Sequence, residues 1–445
     1  MSIEEKRDAL FYQAGGHLPI SSRADGVFIW DTEGKRYLDA CAGAITCNLG
    51  HNHPAIKAAM NDQLEKIAFS YRTQFENQPA IDLASELVGL TGHKLERVFF
   101  VGSGSEAVES CMKLARQYFV TQGESQRTKF VSMRPSYHGS TLGALGLTGY
   151  QPLECHYSDV MIGSVKIPSP DFYRMDDASE NAHVDRMIAE TRAIIEATGG
   201  ENVVAVVAEP VGGASTGARM LNQRYFDKIR ALCKEFGCLF ILDEVLTGVG
   251  RTGQWFAYQH WGATPDIMAL AKGMGAGYYP VAAMLAPRKI VDAVVNSGGF
   301  MHGHTYAGNP LACATGLAVI QTMKKDKILD NVVARGHRLR QGLEDIQAKF
   351  PVVGHVRGIG LLQAIELVED PSTKAPFAAS LNVFNKVTEI ARDKFGLLIY
   401  PRRSLNGLAG DHFLISPPLT ITDVEIDLIL ELLNETLAEF QRSMS

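Results

Sequence analysis

Short runs that are apolar throughout recur along the middle of the chain: RVFFV, KFVSMRP, VVAVVAEPV, LFILDEV, IMALAKG and VAAMLAPR. Runs without alternation suit inner strands of a parallel sheet, which are covered on both faces. Between them the apolar spacing becomes helical. SGSEAVESCMKLARQYFV opens a helix, and QRYFDKIRALCKEFG forms an amphipathic one that leads into LFILDEV. From about residue 97 this order predicts an α/β domain with a mainly parallel central sheet flanked by helices.

Ahead of that domain, GVFIWDTEGKRYLDA holds two apolar stretches around a turn signal, which predicts a hairpin. CAGAITCNLGHNHP then supplies small residues, either for close backbone approach to a ligand or for a plain turn. Residues 54–69 have helical spacing that puts Ile56, Met60, Leu64 and Ile67 on one face. A second helix is expected over Pro79–Leu90. After His304 helices dominate, in NPLACATGLAVIQTMKK and NVVARGHRLRQGLEDIQAKF. A mixed segment, VRGIGLLQAIELV, and a helix around FNKVTEIARDKFG follow. FLISPPLTIT and a last helix, EIDLILELLNETLAEF, close the chain. The expected division is a large domain over 66–320 and a smaller α+β domain built from 1–65 and 321–445.

The 445 residues are 46% hydrophobic and 21% charged, an ordinary globular composition. A net charge of -6 gives no reason to expect nucleic acid or an anionic membrane as partner. No apolar run approaches the roughly 18 residues of a membrane span. MSIEEKRDALFYQ lacks the apolar core of a signal peptide, so a cytoplasmic chain is expected. The seven cysteines are scattered. Cys233 and Cys238 are close, but no matching pair or histidine cluster follows, so no metal is expected.

The chemistry concentrates at the ends of the apolar runs. LFILDEV closes on Asp243 and Glu244, the turn TGVGRTG follows, and IMALAKG closes on Lys272. In open α/β sheets ligands bind outside the carboxyl ends of the strands, so an acid and an amine would emerge at one edge. Desolvation lowers a lysine's pKa, and a partly neutral amine is a nucleophile toward carbonyls. An aldehyde cofactor with a ring nitrogen needs such an amine and a facing carboxylate, the pair that pyridoxal phosphate demands. An internal ion pair at a strand end is the alternative.

VGSGSEAVE lies between a strand and a helix. Gly102 and Gly104 free the backbone, Ser103 and Ser105 supply hydroxyls, and the helix start supplies amides for an anion or phosphate. An ordinary N-cap at Ser105 is compatible with that. Gly102, Gly104 and Ala107 also match a dinucleotide fingerprint, but the next strand, KFVSMRP, lacks the acidic residue a nicotinamide site expects. Tyr137, in SYHG, could stack on a flat ring or simply pack, and His138 reads as a hydrogen-bonded structural histidine. Glu209 is a third carboxylate at the same edge, or a loop anchor, and Thr305 offers a hydroxyl ahead of a helix.

Taken in order, NLGHNHP, SGSEAVE, SYHG, AEPV, LDEVLTGVGRTG, LAKG, HTYAGNP, VRGIGL and SPPLTIT resemble the class III (ω-amino acid) family of pyridoxal-phosphate aminotransferases, of fold type I. The resemblance runs over nearly the whole chain. It implies that Lys272 holds the aldehyde as a Schiff base and shuttles the substrate proton, and that Asp243 keeps the pyridine nitrogen protonated. It implies that Tyr137 stacks on the ring, Val245 packs its other face, and Gly104 and Ser105 bind the phosphate. Glu209 would lie beside cofactor and substrate. Thr305 would reach the phosphate of a neighbouring subunit, which makes a homodimer with shared sites, or a tetramer built from it, the expected assembly. The implied activity is transfer of an amino group from an amine or ω-amino acid to a 2-keto acid, pyruvate or 2-oxoglutarate.

The chain departs from the family at one place. Many members carry an arginine shortly after the GL(L/I) strand, where this chain reads GLLIYP and then an extended loop, RRSLNGLAGDH. Arg402 or Arg403 would then bind the acceptor carboxylate, or both are solvated loop charges. Tyr71, Phe75 and Tyr137 suggest an aromatic-lined pocket. The alternatives are an aminomutase or amino-acid racemase on the same scaffold, or a nicotinamide-dependent dehydrogenase using the glycines of 102–107.

Overall fold

Near the N-terminus, β1 (Ser21–Asp25), β2 (Phe28–Asp31) and β3 (Arg36–Asp39) pair antiparallel in sequence order, so GVFIWDTEGKRYLDA forms the expected hairpin. This computed structural model describes residues 6–7, 9–13 and 17–444. Residues 1–5 and 8, on which part of the signal-peptide reading rests, lie outside the described residues.

The central sheet holds β4 (Arg97–Val101), β5 (Lys129–Arg134), β6 (Val165–Pro168), β7 (Val203–Ala208), β8 (Leu239–Asp243), β9 (Ile267–Leu270) and β10 (Ala282–Ala286). Their order is β4-β10-β9-β8-β7-β5-β6, and only β10 runs antiparallel to its neighbours. All six residues of β7 and all four of β9 are buried, as unbroken apolar runs require. The amphipathic helix Gln223–Phe236 packs Tyr225, Phe226, Ile229, Leu232 and Cys233 into the core. Each large side chain so buried contributes about 1.5–3 kcal/mol. β4 and β5 are not neighbours, whereas the dinucleotide fold pairs the first two strands of its fingerprint unit.

Two central elements carry weak sequence signals. β6 has only four residues, one of them Lys166. The helix Glu180–Thr198 is mostly polar, yet it has a capping Ser179 and buried Val184, Met187, Thr191 and Ile195 at helical spacing.

A third sheet is antiparallel, in the order β11 (Val353–Ile359), β12 (Leu362–Leu367), β15 (Ala409–Ile415), β14 (Tyr400–Leu405). The short strand β13 (Leu397–Leu398) runs parallel to β3, so the two ends of the chain share a sheet. RRSLNGLAGDH is therefore no extended loop. Its halves pair as β14 and β15, with Arg402 opposite His412 and Arg403 opposite Asp411. Asn406 and Gly407 turn the hairpin, both with positive φ (52° and 78°), as a type I′ turn requires.

The helix expected over 54–69 ends at Lys66. Ile56 is buried and Met60 packs on the core, but Leu64 and Ile67 are half exposed. The helix leaves the core before its apolar stripe ends.

Candidate active site

At the carboxyl edge of the parallel strands lies a cavity of about 1000 Å³. Gly104, Ser105, Tyr137, Glu209, Asp243, Val245, Lys272, Arg402 and Arg403 all line it. They come from six separate stretches of chain: five lie at or just past the end of a central strand or at the start of a helix at that edge, and the sixth, with Arg402 and Arg403, is β14 of the third sheet.

Asp243 ends β8, in register with Ala269 on β9, and Lys272 follows β9 by two residues. Lys272 sits in a short turn with φ of 42°, a conformation that costs a non-glycine residue about 1–3 kcal/mol. Burial pushes its amine down from the ordinary lysine value, against the pull of Asp243 and Glu209, and Arg251 adds to the lowering. Asp243 accepts the Val245 N–H at 3.0 Å, and its other oxygen lies 2.9 Å from Nδ1 of buried His138. The hydrogen-bonded histidine read from SYHG is thus tied to the acid at the site.

Glu209 accepts N–H groups from Tyr137 (3.1 Å) and Gly213 (3.0 Å), and burial raises its carboxyl pKa. Its proximity to Lys272 and its loop-anchoring role coexist.

The Gly102–Ser105 turn differs from expectation in one detail. Ser103, not Ser105, caps the helix Gly104–Thr121, accepting the Glu106 N–H at 3.2 Å. Glu106 in turn accepts the Gly102 N–H at 2.6 Å. Ser105 is free of that duty, and its hydroxyl accepts the Ser140 N–H at 3.1 Å. The amides of Gly104 and Ser105 have no intrahelical acceptor, because they open the helix. A Cβ on Gly104 would lie 2.9 Å from Val245, and one on Gly139 would lie 2.6 Å from the Ser105 hydroxyl. Glycine at both positions keeps this concave nest of donors open.

Three features therefore fit a phosphorylated pyridine aldehyde: a desolvated amine, a carboxylate facing the same cavity, and an amide-and-hydroxyl nest for a phosphate. Among the described residues no group of three His, Cys, Asp or Glu is placed to hold a metal ion.

Three expected positions lie elsewhere. Tyr71 and Phe75 are exposed on the surface and do not line the cavity. The aromatic lining comes instead from Tyr137, Tyr150, Tyr279, Phe384 and Tyr400. Thr305 is exposed and also outside this cavity. Tyr150, Phe384 and Tyr400 carry no local sequence signal; the hairpin brings Tyr400 in, and its Asn406-Gly407 turn was the signal available.

The family model described as aminotransferase class-III matches residues 12–437. An uncharacterized aminotransferase of Bacillus subtilis is 35% identical over 428 residues, covering 96% of each chain. The putrescine–pyruvate aminotransferase of Pseudomonas aeruginosa is 34% identical, covering 94% of this chain and 90% of its own. An amine transaminase from an uncultivated Pseudomonas species, solved in its PLP-bound form, superposes with a TM-score of 0.90 at 33% identity, covering 97% and 98%. The chain belongs to the class-III aminotransferases, enzymes of fold type I that transfer amino groups with pyridoxal phosphate.

Proposed function

We propose that this chain moves an amino group from an amine or ω-amino acid to a 2-keto acid, pyruvate or 2-oxoglutarate, with Lys272 as the residue that holds the cofactor and moves the proton. The observation that carries the reading is the buried amine of Lys272 in one cavity with Asp243. Pyridoxal phosphate, when bound, supplies the electron sink that lets a proton leave the carbon beside nitrogen. Lys272 Nζ takes and returns that proton, a task its lowered pKa suits. Asp243 would face the cofactor's ring nitrogen and keep it protonated. Tyr137 and Val245 would cover the two faces of its ring, and Gly104 and Ser105 would hold its phosphate. Glu209 shapes the substrate side through the Tyr137 and Gly213 amides.

Of the two arginines, Arg402 is the substrate group. Arg403 is committed to Asp411 (3.3 Å) and the Ala379 carbonyl (2.8 Å). Arg402 meets no carboxylate among the described residues: it donates to the Pro401 carbonyl and, at 3.4 Å, to the Tyr400 hydroxyl, and lies over the Tyr400 ring at 5.2 Å. Its guanidinium suits the carboxylate of a keto acid. The putrescine–pyruvate relative supports an amine donor and pyruvate.

A homodimer completes the site. Leu64, Ile67, Phe69, Tyr71, Phe75, Met301 and Tyr306 are large exposed apolar residues. Phe69 and Tyr306 make a ring contact at 5.5 Å, joining this segment to the Thr305 loop. Such a patch of exposed apolar side chains marks an interface, and it would carry Thr305 to the partner's phosphate.

The test is a donor panel of β-alanine, 4-aminobutyrate, taurine, diamines, aryl amines and long-chain amines against both acceptors. Alanine or glutamate should form in step with an aldehyde or ketone. The reading fails if no donor supports transfer, or if Lys272→Ala keeps the cofactor absorbance and turnover of the parent.

A further inference from the structure

Lys166, on the edge strand β6, lies apart from the residues that line the cavity. Its ammonium is surrounded by oxygen. Nζ lies 2.8 Å from the Thr148 carbonyl, 2.9 Å from that of Leu147 and 3.1 Å from that of Gly146. The Ser132 hydroxyl is at 3.1 Å, and a Glu154 carboxylate oxygen at 3.7 Å. An ammonium has three N–H donors, so these five oxygens exceed what single hydrogen bonds can serve. They form a cage for a small monovalent cation, which here is attached to the chain.

The cage is built from several elements. The three carbonyls are the free C-terminal ones of the helix Leu142–Leu147 and its following residue, which lack intrahelical donors. Ser132 stands opposite Lys166 in the sheet. Ser164 bridges Ser132 (2.7 Å) and the Gly146 carbonyl (2.7 Å). Arg134 holds Glu154 at 2.8–2.9 Å. Gly146 packs directly on the Ile162 carbonyl, where any Cβ would overlap it.

The segment that the cation gathers is the one behind the SYHG turn. The Thr148 hydroxyl accepts the His138 N–H at 2.9 Å and donates to the Gly139 carbonyl at 3.2 Å. Gly149 pairs with Ser136 in an isolated bridge. His138 then reaches Asp243. Without a cation, three carbonyl dipoles would converge on an empty point, and the turn bearing Tyr137 and His138 would lose its backing.

We propose that Lys166 is a tethered cation filling an oxygen cage, and that it acts as a positioning residue for the Tyr137–His138 turn against Asp243. This rests on the reading of Tyr137 and Asp243 as cofactor contacts.

The experiment compares Lys166→Ala, which removes charge and stem and leaves room for an ion, with Lys166→Met, which keeps the stem and removes only the charge. Pyridoxal 5'-phosphate affinity of the full chain is titrated at fixed ionic strength with ammonium, potassium or choline chloride. Both variants should bind pyridoxal phosphate about tenfold more weakly than the parent. Ammonium or potassium should restore Lys166→Ala saturably, leave Lys166→Met within about twofold of its starting value, and be matched by choline in neither. The thermal midpoint of the cofactor-free protein should follow the same order. The proposal is overturned if affinity is unchanged in both variants, or if both respond to cations alike. It is equally overturned if choline restores Lys166→Ala, if no cation does, or if cations raise only the midpoint and not the affinity. An Asp243→Asn chain that binds pyridoxal phosphate like the parent would instead remove the reading of the cofactor site, while cation rescue of the Lys166→Ala midpoint would stand apart from it.

Discussion

Asp243 is fixed at both oxygens, by the Val245 N–H and by His138. An amide at that position keeps the shape and loses the charge that a protonated ring nitrogen needs. Asp243→Asn should lower kcat/KM by about 10²–10³-fold, the loss expected when one electrostatic partner is removed from a water-excluded site. Steady-state kinetics with the best donor of the panel, beside a thermal melt, check this; a loss below tenfold would sink the role. Arg402→Gln should raise KM for the keto acid by about tenfold or more and leave the melt unchanged, since it removes a charge-assisted contact on the cavity wall. Arg403→Gln should do the reverse, because its partner Asp411 is fully buried. At this scale Lys272 and Asp243 were legible because a charge ending an apolar run is costly unless used. The pairing of His138 with Asp243 was not, since 105 residues separate them. Nor could aromatic identity alone say that Tyr71 and Phe75 face outward while Tyr150 and Phe384 face the cavity. Arg402 and Arg403 are neighbours on one strand and both border the cavity, and their different partners, which appear only once the strand is paired, separate their roles.

The element that sets the outer wall of the cavity is the hairpin β14–β15. Its tip rests on the short helix Gln151–Glu154: the Gln151 N–H donates to Asn406 at 3.3 Å, and a Cβ on Gly407 would lie 2.5 Å from Pro152 and 2.8 Å from Tyr150. Gly407 also has a φ of 78°. Gly407→Ala therefore meets both a backbone penalty and a contact with a rigid proline ring, and should destabilise by about 1–3 kcal/mol. Because Tyr150 and Pro152 line the cavity, KM should rise with it. A variant with the parent's melt and KM would show that the tip does not support the wall. The strands β7, β8 and β9 could be read directly, since sheet cores demand unbroken apolar runs. The hairpin was hidden by its polar composition, RRSLNGLAGDH, although Asn-Gly between two extended runs is a hairpin signal. The helix Glu180–Thr198 was obscured in the same way, its few buried positions outnumbered by charge.

Across the whole molecule, a buried ionic cluster joins the loop after β7 to the C-terminal sheet. Glu366, fully buried on β12, pairs with Arg357 at 2.6 Å and with Arg174. Arg357 also donates to the Gly217 carbonyl at 2.5 Å and the Thr216 carbonyl at 3.0 Å, so it grips the loop that carries Gly213 and Ser215 to the cavity. Burial alone would raise the Glu366 carboxyl above its ordinary 4.5, but the guanidiniums of Arg357, Arg174 and Arg219 outweigh it and hold the group at about 2. A carboxylate depressed on folding contributes stability that is complete above about 4.5 and is lost as pH falls toward 2, here about 3 kcal/mol in all. Other carboxylates titrate in the same range, so the effect is isolated by difference. Urea unfolding of the parent and of Glu366→Gln, followed from pH 7 to pH 2.5, should show a stability gap that is constant down to about pH 4.5 and then shrinks. Above that pH the gap itself should be about 3–5 kcal/mol, because the substitution strands Arg357 and Arg174 without their acid. A gap that stays constant to pH 2.5 would mean that Glu366 is not the group holding the loop to the sheet. A gap that closes as described, accompanied by a rise in KM for the variant at pH 7, would tie the cavity wall to a charge on the opposite side of the interface between the two sheets.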